Sequence, residues 1–176
     1  MARLSTGVLS LSYSPRGFAR VHGPIGGARL TSAMRDSVGR GKTVRALEGI
    51  RVLVVDNDLD NAELLQVWLR TEGAEVSVAG DARAAREIVR AVALDVLISD
   101  IGLPEEDGCA LVASLRFDPR TSRLPAIAVT GYSDKSSLRR AKEAGFNPRF
   151  VKPVDFTALT SAIKALAYEY RSIQLH

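Results

Sequence analysis

The distribution of apolar and polar residues changes abruptly along the chain near residue 48. Beyond that point, short β-branched runs alternate with longer segments in which apolar residues recur at helical spacing. This alternation is typical of βα units that build a parallel sheet. The predicted strands are Ile50–Val55, Glu75–Ala79, Val96–Ser99, Ala126–Thr130 and Phe150–Val151.

Five helical patterns follow these strands. They cover Asp60–Thr71, Ala82–Ala93, Gly108–Arg116, Lys135–Ala144 and Phe156–Tyr168. The first pattern places four apolar residues on one side, namely Leu64, Leu65, Trp68 and Leu69, and the second does so with Ala85, Ile88, Val89 and Val92. Asp134 and Asp155 are suited to cap the last two helices. The fully apolar strands fit a sheet buried on both faces, so the sequence predicts an α/β domain with a doubly wound, five-stranded parallel sheet.

The first 47 residues differ from the rest in charge and in texture. They hold eight Lys or Arg and one acid, whereas residues 48–176 hold sixteen Lys or Arg and nineteen acids. Seven of the fourteen glycines also lie there, and the apolar residues show no sustained period. We therefore predict a basic, disordered leader at 1–47, one folded domain at 48–170 and a short tail at 171–176.

Three interpretations of the leader remain open. It is an unstructured segment, an arm that contacts an acidic partner or nucleic acid, or a targeting peptide, because arginine-rich and acid-poor segments occur in all three classes. A short helix at Ala28–Val38 and a true start at Met34 are further alternatives. No apolar run approaches the roughly 20 residues of a membrane span. Cys109 is the only cysteine and is interpreted as a small core residue. We expect a cytoplasmic protein.

The candidate functional residues lie at or just after the ends of four of the predicted strands. They are Asp56, Asn57 and Asp58 after the first strand, Asp100 after the third, Thr130 and Gly131 at the fourth, and Lys152 and Pro153 after the fifth. Taken singly, each is commonly a helix cap, a turn residue or a solvated loop residue. Ligands of an open parallel sheet bind at the carboxyl ends of its strands, where these side chains would converge. Carboxylate, amide, hydroxyl and ammonium groups together suit a phosphoryl group with Mg²⁺.

The stretches VLVVDND, LISDIGLPEEDG, AIAVTGY and FVKPVD, in this order and spacing, resemble the receiver domain of bacterial response regulators and hybrid histidine kinases. The resemblance covers roughly Gly49–Ala167 and implies a flavodoxin-like sheet of order 2-1-3-4-5. It implies that Asp100 is the phosphoacceptor, with Thr130 and Lys152 contacting the phosphoryl group. It also implies a Mg²⁺ site formed by Asp56, Asn57, Asp100 and the carbonyl of Gly102.

The sequence departs from the family pattern at two positions. Asn57 stands where the family usually has a second acid, so one formal charge is lost although an amide oxygen can still bind Mg²⁺. Arg149 stands where the family has its switch aromatic, and the neighbouring Phe150 is expected to point to the opposite side of the strand. Pro153 matches a Lys-Pro bond that is generally cis in the family.

The resemblance implies that this chain is a single-domain response regulator of a phosphorelay rather than an enzyme, apart from Mg²⁺-assisted self-phosphorylation and slow autodephosphorylation. Slow hydrolysis is expected because Gly102 cannot orient a water molecule and Tyr132 can cover the phosphoryl group. The implied partners are a sensor histidine kinase or histidine phosphotransfer protein and a downstream protein target. A phosphorylation-dependent homodimer is an open alternative. No DNA-binding segment is expected after the last helix, and no membrane contact.

Two other functions stay open on sequence alone. A receiver that has lost phosphorylation would act as a phosphorylation-independent interaction module. A phosphatase of the haloacid dehalogenase type also places two aspartates after its first strand, and Asp56 with Asp58 satisfies that spacing.

Overall fold

The computed structural model describes residues 45–131 and 134–174, together with the backbone of two short strands, Leu11–Ser12 and Arg20–Val21. These two strands pair with each other in antiparallel fashion. They lie within a unit that spans Met1–Thr43, and a second unit spans Val44–His176. The remaining leader positions, including the helix predicted at Ala28–Val38, and Tyr132 lie outside the described residues.

The second unit contains the five-stranded sheet. Its strands are β1 (Arg51–Val55), β2 (Glu75–Ala79), β3 (Val96–Ser99), β4 (Ala126–Thr130) and β5 (Arg149–Val151). All neighbouring strands are parallel and their order is β2-β1-β3-β4-β5. This order confirms the predicted doubly wound, flavodoxin-like fold. It also sets the carboxyl ends of β1 and β3 side by side, with β4 and β5 following.

Five helices cover the two faces of this sheet. They are α1 (Leu59–Thr71), α2 (Ala82–Ala91), α3 (Gly108–Arg116), α4 (Lys135–Ala144) and α5 (Phe156–Gln174). Alternate residues of a strand point to opposite faces, so Leu53 and Val55 pack with α2, α3 and α4, while Val52 and Val54 pack with α1 and α5. Both faces of β1 are therefore buried, which explains its continuous apolar run.

Two apolar residues that the helical pattern assigned to inner faces are exposed instead. Leu64 is 55% exposed, because the inner side of α1 is formed by Ala62, Leu65 and Leu69. Helix α2 ends at Ala91, earlier than predicted. Val92 then adopts an extended conformation with φ −125° and ψ 131°, and is 41% exposed. Periodicity locates the apolar side of a helix, but it does not show which of two adjacent leucines faces the sheet.

Residues at both ends of the sheet domain, outside the range 48–170, take part in regular contacts. Leu47, which the sequence places in the leader, is fully buried, and its N–H donates to the carbonyl of Glu72 over 2.9 Å. The last helix continues to Gln174 instead of ending at Tyr168, so most of the predicted tail is helical. Arg171 stabilises these last turns, because its guanidinium donates to Asp95 and to the carbonyl of Gly49.

Cys109 lies at the start of α3 and is only 7% exposed, as expected for a small core residue. Burial raises the pKa of its thiol, and the nearby charge of Asp107 acts in the same direction. In the described part of the chain, none of the helices combines the length and the apolar composition that a bilayer crossing requires.

Candidate functional site

The carboxyl ends of three strands bring Asp56, Asp100 and Lys152 together. Asp56 directly follows β1, and its N–H donates to the carbonyl of Ala79 over 3.1 Å. Asp100 directly follows β3, and its N–H donates to the carbonyl of Val55 over 2.8 Å. Each aspartate is thus held by one hydrogen bond to the neighbouring strand. The two side chains therefore leave the sheet at adjacent positions, as the strand-end pattern predicts.

Lys152 bridges the two carboxylates. Its Nζ lies 2.8 Å from Oδ2 of Asp56 and 2.8 Å from Oδ2 of Asp100. The Asp56 side chain is 3% exposed and the Asp100 side chain 13%, so the two negative charges are largely removed from water. Burial alone lowers the pKa of Lys152, but its hydrogen bonds and charge interactions with Asp100 and Asp56 outweigh this effect and raise it. The ammonium group therefore keeps its charge.

The second oxygen of each carboxylate accepts a hydrogen bond from the backbone. Asp58 N–H donates to Oδ1 of Asp56 over 2.9 Å, and Gly102 N–H donates to Oδ1 of Asp100 over 3.0 Å. These donors fix both carboxylates without adding a positive charge. The pair keeps one more negative charge than its single cation neutralises, which favours a small cation nearby.

The oxygen donors at this edge fit a hard divalent cation. Both carboxylates lie within hydrogen-bonding distance of one nitrogen atom, so a single small ion can reach them both. In the residues that the structure describes, no three acids, histidines or cysteines are grouped as metal ligands. The side-chain amide of Asn57 and the carbonyl of Gly102 are neutral oxygens close in sequence to the two carboxylates. Oxygen donors of these kinds are the ones that Mg²⁺ uses in proteins.

Thr130 and Lys152 are held next to each other by the sheet. Thr130 is the last residue of β4 and is fully buried, and its carbonyl accepts a hydrogen bond from the Lys152 N–H over 3.0 Å. The Lys152–Pro153 peptide bond is cis, as the resemblance implies.

The loop after Asp100 is fixed by contacts that sequence reasoning missed. Arg86 of α2 forms a forked ion pair with Glu106 and also contacts the hydroxyl of Ser114. Asp107 caps α3 by accepting from the Ala110 N–H over 2.8 Å, and it forms an ion pair with Arg140 of α4. The cap could have been found from an aspartate just before a helical pattern. The ion pairs could not, because their partners are far away in sequence.

Gly108 packs directly against the backbone of the candidate phosphoacceptor. A Cβ atom at this position would lie 2.1 Å from the carbonyl oxygen of Asp100. The N–H of Gly108 also donates to the carbonyl of Ile101 over 2.9 Å. A side chain is therefore excluded where α3 begins, and the helix holds Asp100 at close range.

The two departures from the family pattern have clear positions. Asn57 is exposed beside the pocket, and Arg149 is half-buried at the start of β5, paired in register with Ala128. Phe150 packs with the core on the side of α1 and α5, so it does not replace the missing aromatic.

Asp58 caps α1 by accepting from the N–H groups of the two residues that follow Leu59. This use of its side chain leaves the second aspartate of the phosphatase pattern outside the pocket.

The family comparison agrees with this geometry. The model of the response regulator receiver domain matches residues 52–164. Receiver domains of this family generally bind Mg²⁺ at the site of phosphorylation.

Individual relatives extend the comparison. An uncharacterized 14.6 kDa protein in the sodA1 3′ region of Leptolyngbya boryana is 38% identical over 112 residues, which is 64% of this chain and 86% of the relative. The transcriptional regulatory protein ZraR of Escherichia coli is 32% identical over 125 residues, or 70% of this chain, but the match spans only 28% of ZraR. The structure of a CheY-like receiver domain protein from Methanospirillum hungatei has a TM-score of 0.65 at 26% identity, and the match covers 71% of this chain and 98% of that one.

Proposed function

The chain belongs to the response regulator receiver domain family, and from that premise we propose that it is the phosphoryl-accepting module of a two-component phosphorelay. In this proposal Asp100 receives the phosphoryl group from a phosphohistidine of a sensor kinase or of a histidine phosphotransfer protein. The observation that carries the proposal is the bridge from Lys152 to Asp56 and Asp100. An isolated structural ion pair would need only one of these two acids.

The reaction requires little covalent chemistry from the protein. A carboxylate oxygen of Asp100 attacks the phosphorus atom, the P–N bond of the phosphohistidine breaks, and its electron pair stays on the imidazole nitrogen, which takes up a proton. Before the transfer, the Lys152 ammonium group neutralises charge on two carboxylates. After it, the same group neutralises charge on Asp56 and on the acyl phosphate of Asp100. The Thr130 hydroxyl donates to a phosphoryl oxygen, and the N–H of Gly102 holds the loop beside Asp100.

Asp56, Asp100, the amide of Asn57 and the carbonyl of Gly102 would hold Mg²⁺. When bound, the ion spreads the negative charge of the phosphoryl group. Asn57 contributes no charge, so we propose weaker Mg²⁺ binding than an acid at this position would give.

We further propose that the chain acts in the cytoplasm through protein contacts and has no separate enzymatic activity. Its output would be a changed affinity for a downstream protein or for a second copy of itself. A second candidate function is supported by Asn57 and Arg149, which remove a pocket charge and the switch aromatic. In that case the chain is an interaction module that works without phosphorylation.

The deciding experiment is intact mass measurement after incubation with acetyl phosphate and Mg²⁺. We expect a single phosphoryl adduct that is lost in hydroxylamine, because an acyl phosphate is labile. The Asp100→Asn variant is the matched control and should form no adduct. A folded wild-type protein that never forms the adduct would favour the interaction module, and an adduct on Asp100→Asn would show that another residue is modified.

A further inference from the structure

A second cluster of charges lies at the opposite edge of the sheet, where the strands begin. Asp95 precedes β3 and its side chain is 2% exposed. Arg51 at the start of β1 donates to it through Nε over 3.2 Å and through its backbone N–H over 2.7 Å. Arg171 of α5 donates through Nε over 2.9 Å and Nη2 over 2.7 Å. Two guanidinium groups thus share one carboxylate.

A cavity of about 740 Å³ lies beside this cluster. It is formed by the end of α2, the connections that precede β3 and β4, and the last turns of α5. Four arginines line it, namely Arg51, Arg90, Arg120 and Arg171. In the described part of the chain, Asp95 is the one acid among its lining residues. Asp118, which is not among the lining residues, pairs with Arg120, so four positive groups against these two acids leave a formal excess of two positive charges.

The needs of the fold account for only two of these arginines. Arg51 and Arg171 attach the end of α5 to the sheet through Asp95. Arg90, by contrast, forms no side-chain ion pair among the residues that the structure describes, although its charge contributes to the lowered pKa of Asp118. Arg120 pairs only with Asp118 two positions earlier, and that ion pair is exposed, with side-chain exposures of 70% and 36%. Exposed pairs of this kind contribute at most about 1 kcal/mol to stability.

The arginines also have N–H groups to spare. A guanidinium group carries five N–H donors in a planar fork. Arg51, Arg120 and Arg171 each bind their carboxylate partner through Nε and Nη2, and none of the three uses Nη1 to bond another residue in the described ranges. An anion that enters the cavity therefore meets donors that no protein acceptor occupies.

The walls between these donors are apolar. They include Val89, Val92, Leu94, Leu124 and the ring of Tyr170. The volume falls within the range of roughly 300–1,000 Å³ that is usual for small-molecule sites.

We propose that this cavity is a second ligand site, which binds a small organic anion with an apolar body and a carboxylate, sulfonate or phosphate group. It lies at the amino-terminal edge of the sheet, so the length of β1 separates it from Asp100 by roughly 13 Å or more. The two sites do not share a residue. Binding at the cavity is therefore independent of the chemistry proposed for Asp100.

The test compares two dyes of matched shape on the full chain. One is 8-anilino-1-naphthalenesulfonate, an anion with an apolar body, and the other is N-phenyl-1-naphthylamine, which lacks the sulfonate. Arg90→Gln combined with Arg120→Gln removes the two arginines that the fold does not need. The control combines Arg83→Gln with Arg139→Gln, two exposed arginines paired within their own helices and outside the cavity. Equal thermal unfolding midpoints should show that both variants fold.

We expect the sulfonate dye to bind at least fivefold more weakly to the cavity variant than to the control variant, and the uncharged dye to bind both alike. Amide chemical shifts of Leu94 and Leu124 should move when the sulfonate dye is added to the wild type. Equal sulfonate binding by the two variants, or shifts confined to other regions, would overturn the proposal. Phosphorylation by acetyl phosphate should be unchanged in the cavity variant. This readout separates failure of the second site from failure of the phosphoacceptor proposal.

Discussion

Both edges of the sheet hold buried carboxylates paired with cations, but the ratio of carboxylates to cations is opposite at the two edges. At the carboxyl edge, Asp56 and Asp100 share the single ammonium group of Lys152. At the amino-terminal edge, Asp95 is shared by two guanidinium groups. The first edge is left with surplus negative charge and the second with surplus positive charge. A balanced ion pair has only structural value, whereas an unbalanced one attracts a ligand of the opposite sign.

The two kinds of cation also differ in how firmly they fix the orientation of their carboxylate partners. A guanidinium group is planar and binds both oxygens of a carboxylate, so Arg171 locks Asp95 in one orientation. An ammonium group is a compact point charge on a flexible stem, so Lys152 can follow a change in its partners. The amino-terminal cluster is therefore suited to stability and the carboxyl cluster to chemistry.

The largest expected effect follows from Asp95→Asn, which keeps the shape of the side chain and removes its charge. Two guanidinium groups then lose their buried partner. We expect the free energy of unfolding to fall by about 3 kcal/mol, the lower end for a broken buried pair, because both arginines are partly exposed. Urea unfolding at neutral pH measures the change. A loss below about 0.5 kcal/mol would contradict the stabilising role of the ion pairs that Asp95 forms.

The difference in the free energy of unfolding between the wild type and Asp95→Asn should depend on pH. Burial alone raises the pKa of Asp95, but hydrogen bonds from Arg171 and Arg51 outweigh this effect and hold it at about 2. The pKa is lower in the folded state than its usual unfolded value of about 3.9, so the stabilisation is present above pH ~4 and is lost as the pH falls toward 2. The stability difference between wild type and Asp95→Asn should therefore shrink across that window. A difference that stays constant would show that the carboxylate charge is not the cause.

Gly108→Ala should perturb the carboxyl edge almost as strongly. Its Cβ would lie 2.1 Å from the carbonyl oxygen of Asp100, so α3 or Asp100 must shift. We expect a loss of about 2 kcal/mol in stability, typical of overpacking, and slower phosphorylation by acetyl phosphate. Gly80→Ala is the matched control, because nothing lies within 4 Å of the Cβ it would carry. Similar behaviour of the two variants would mean that contact with Asp100 is unimportant.

The strand ends were predictable from the sequence because a parallel sheet brings the carboxyl ends of its strands to one edge. Asp56, Asp100, Thr130 and Lys152 each follow or end a recognisable apolar run, so their placement at one edge of the sheet needed no knowledge of side-chain contacts. The Asp95 cluster gave no such signal. Arg51 lies 44 positions and Arg171 76 positions from Asp95, and neither belongs to a local motif. Long-range pairing of flexible side chains depends on tertiary packing, which a one-dimensional pattern does not encode.

Lys152→Ala should sharpen the contrast between the edges by removing the shared cation. We expect Mg²⁺ to bind about tenfold more tightly, because the ammonium group no longer competes for the two carboxylates. Phosphorylation should nevertheless become slower, because the phosphoryl group no longer has a fixed positive charge beside it during the transfer. Calorimetric titration with Mg²⁺ and the initial rate with acetyl phosphate measure the two effects. Weaker Mg²⁺ binding in the variant would show that Lys152 orients the carboxylates more than it competes for them.

The smallest expected effect is that of Asn57→Asp, which adds one exposed negative charge to the carboxyl edge. Two unit charges 4 Å apart in water interact by about 1 kcal/mol, and a divalent ion doubles this value. Salt screens roughly half of it for an exposed side chain, so Mg²⁺ should bind roughly fivefold more tightly. Asn147→Asp is the control, since it adds the same charge at an exposed position before β5, at the amino-terminal edge. Calorimetric titration of both variants should find tighter binding only in Asn57→Asp. Equal tightening in both would assign the effect to net charge alone, and the carboxyl edge would then have no special affinity for the ion.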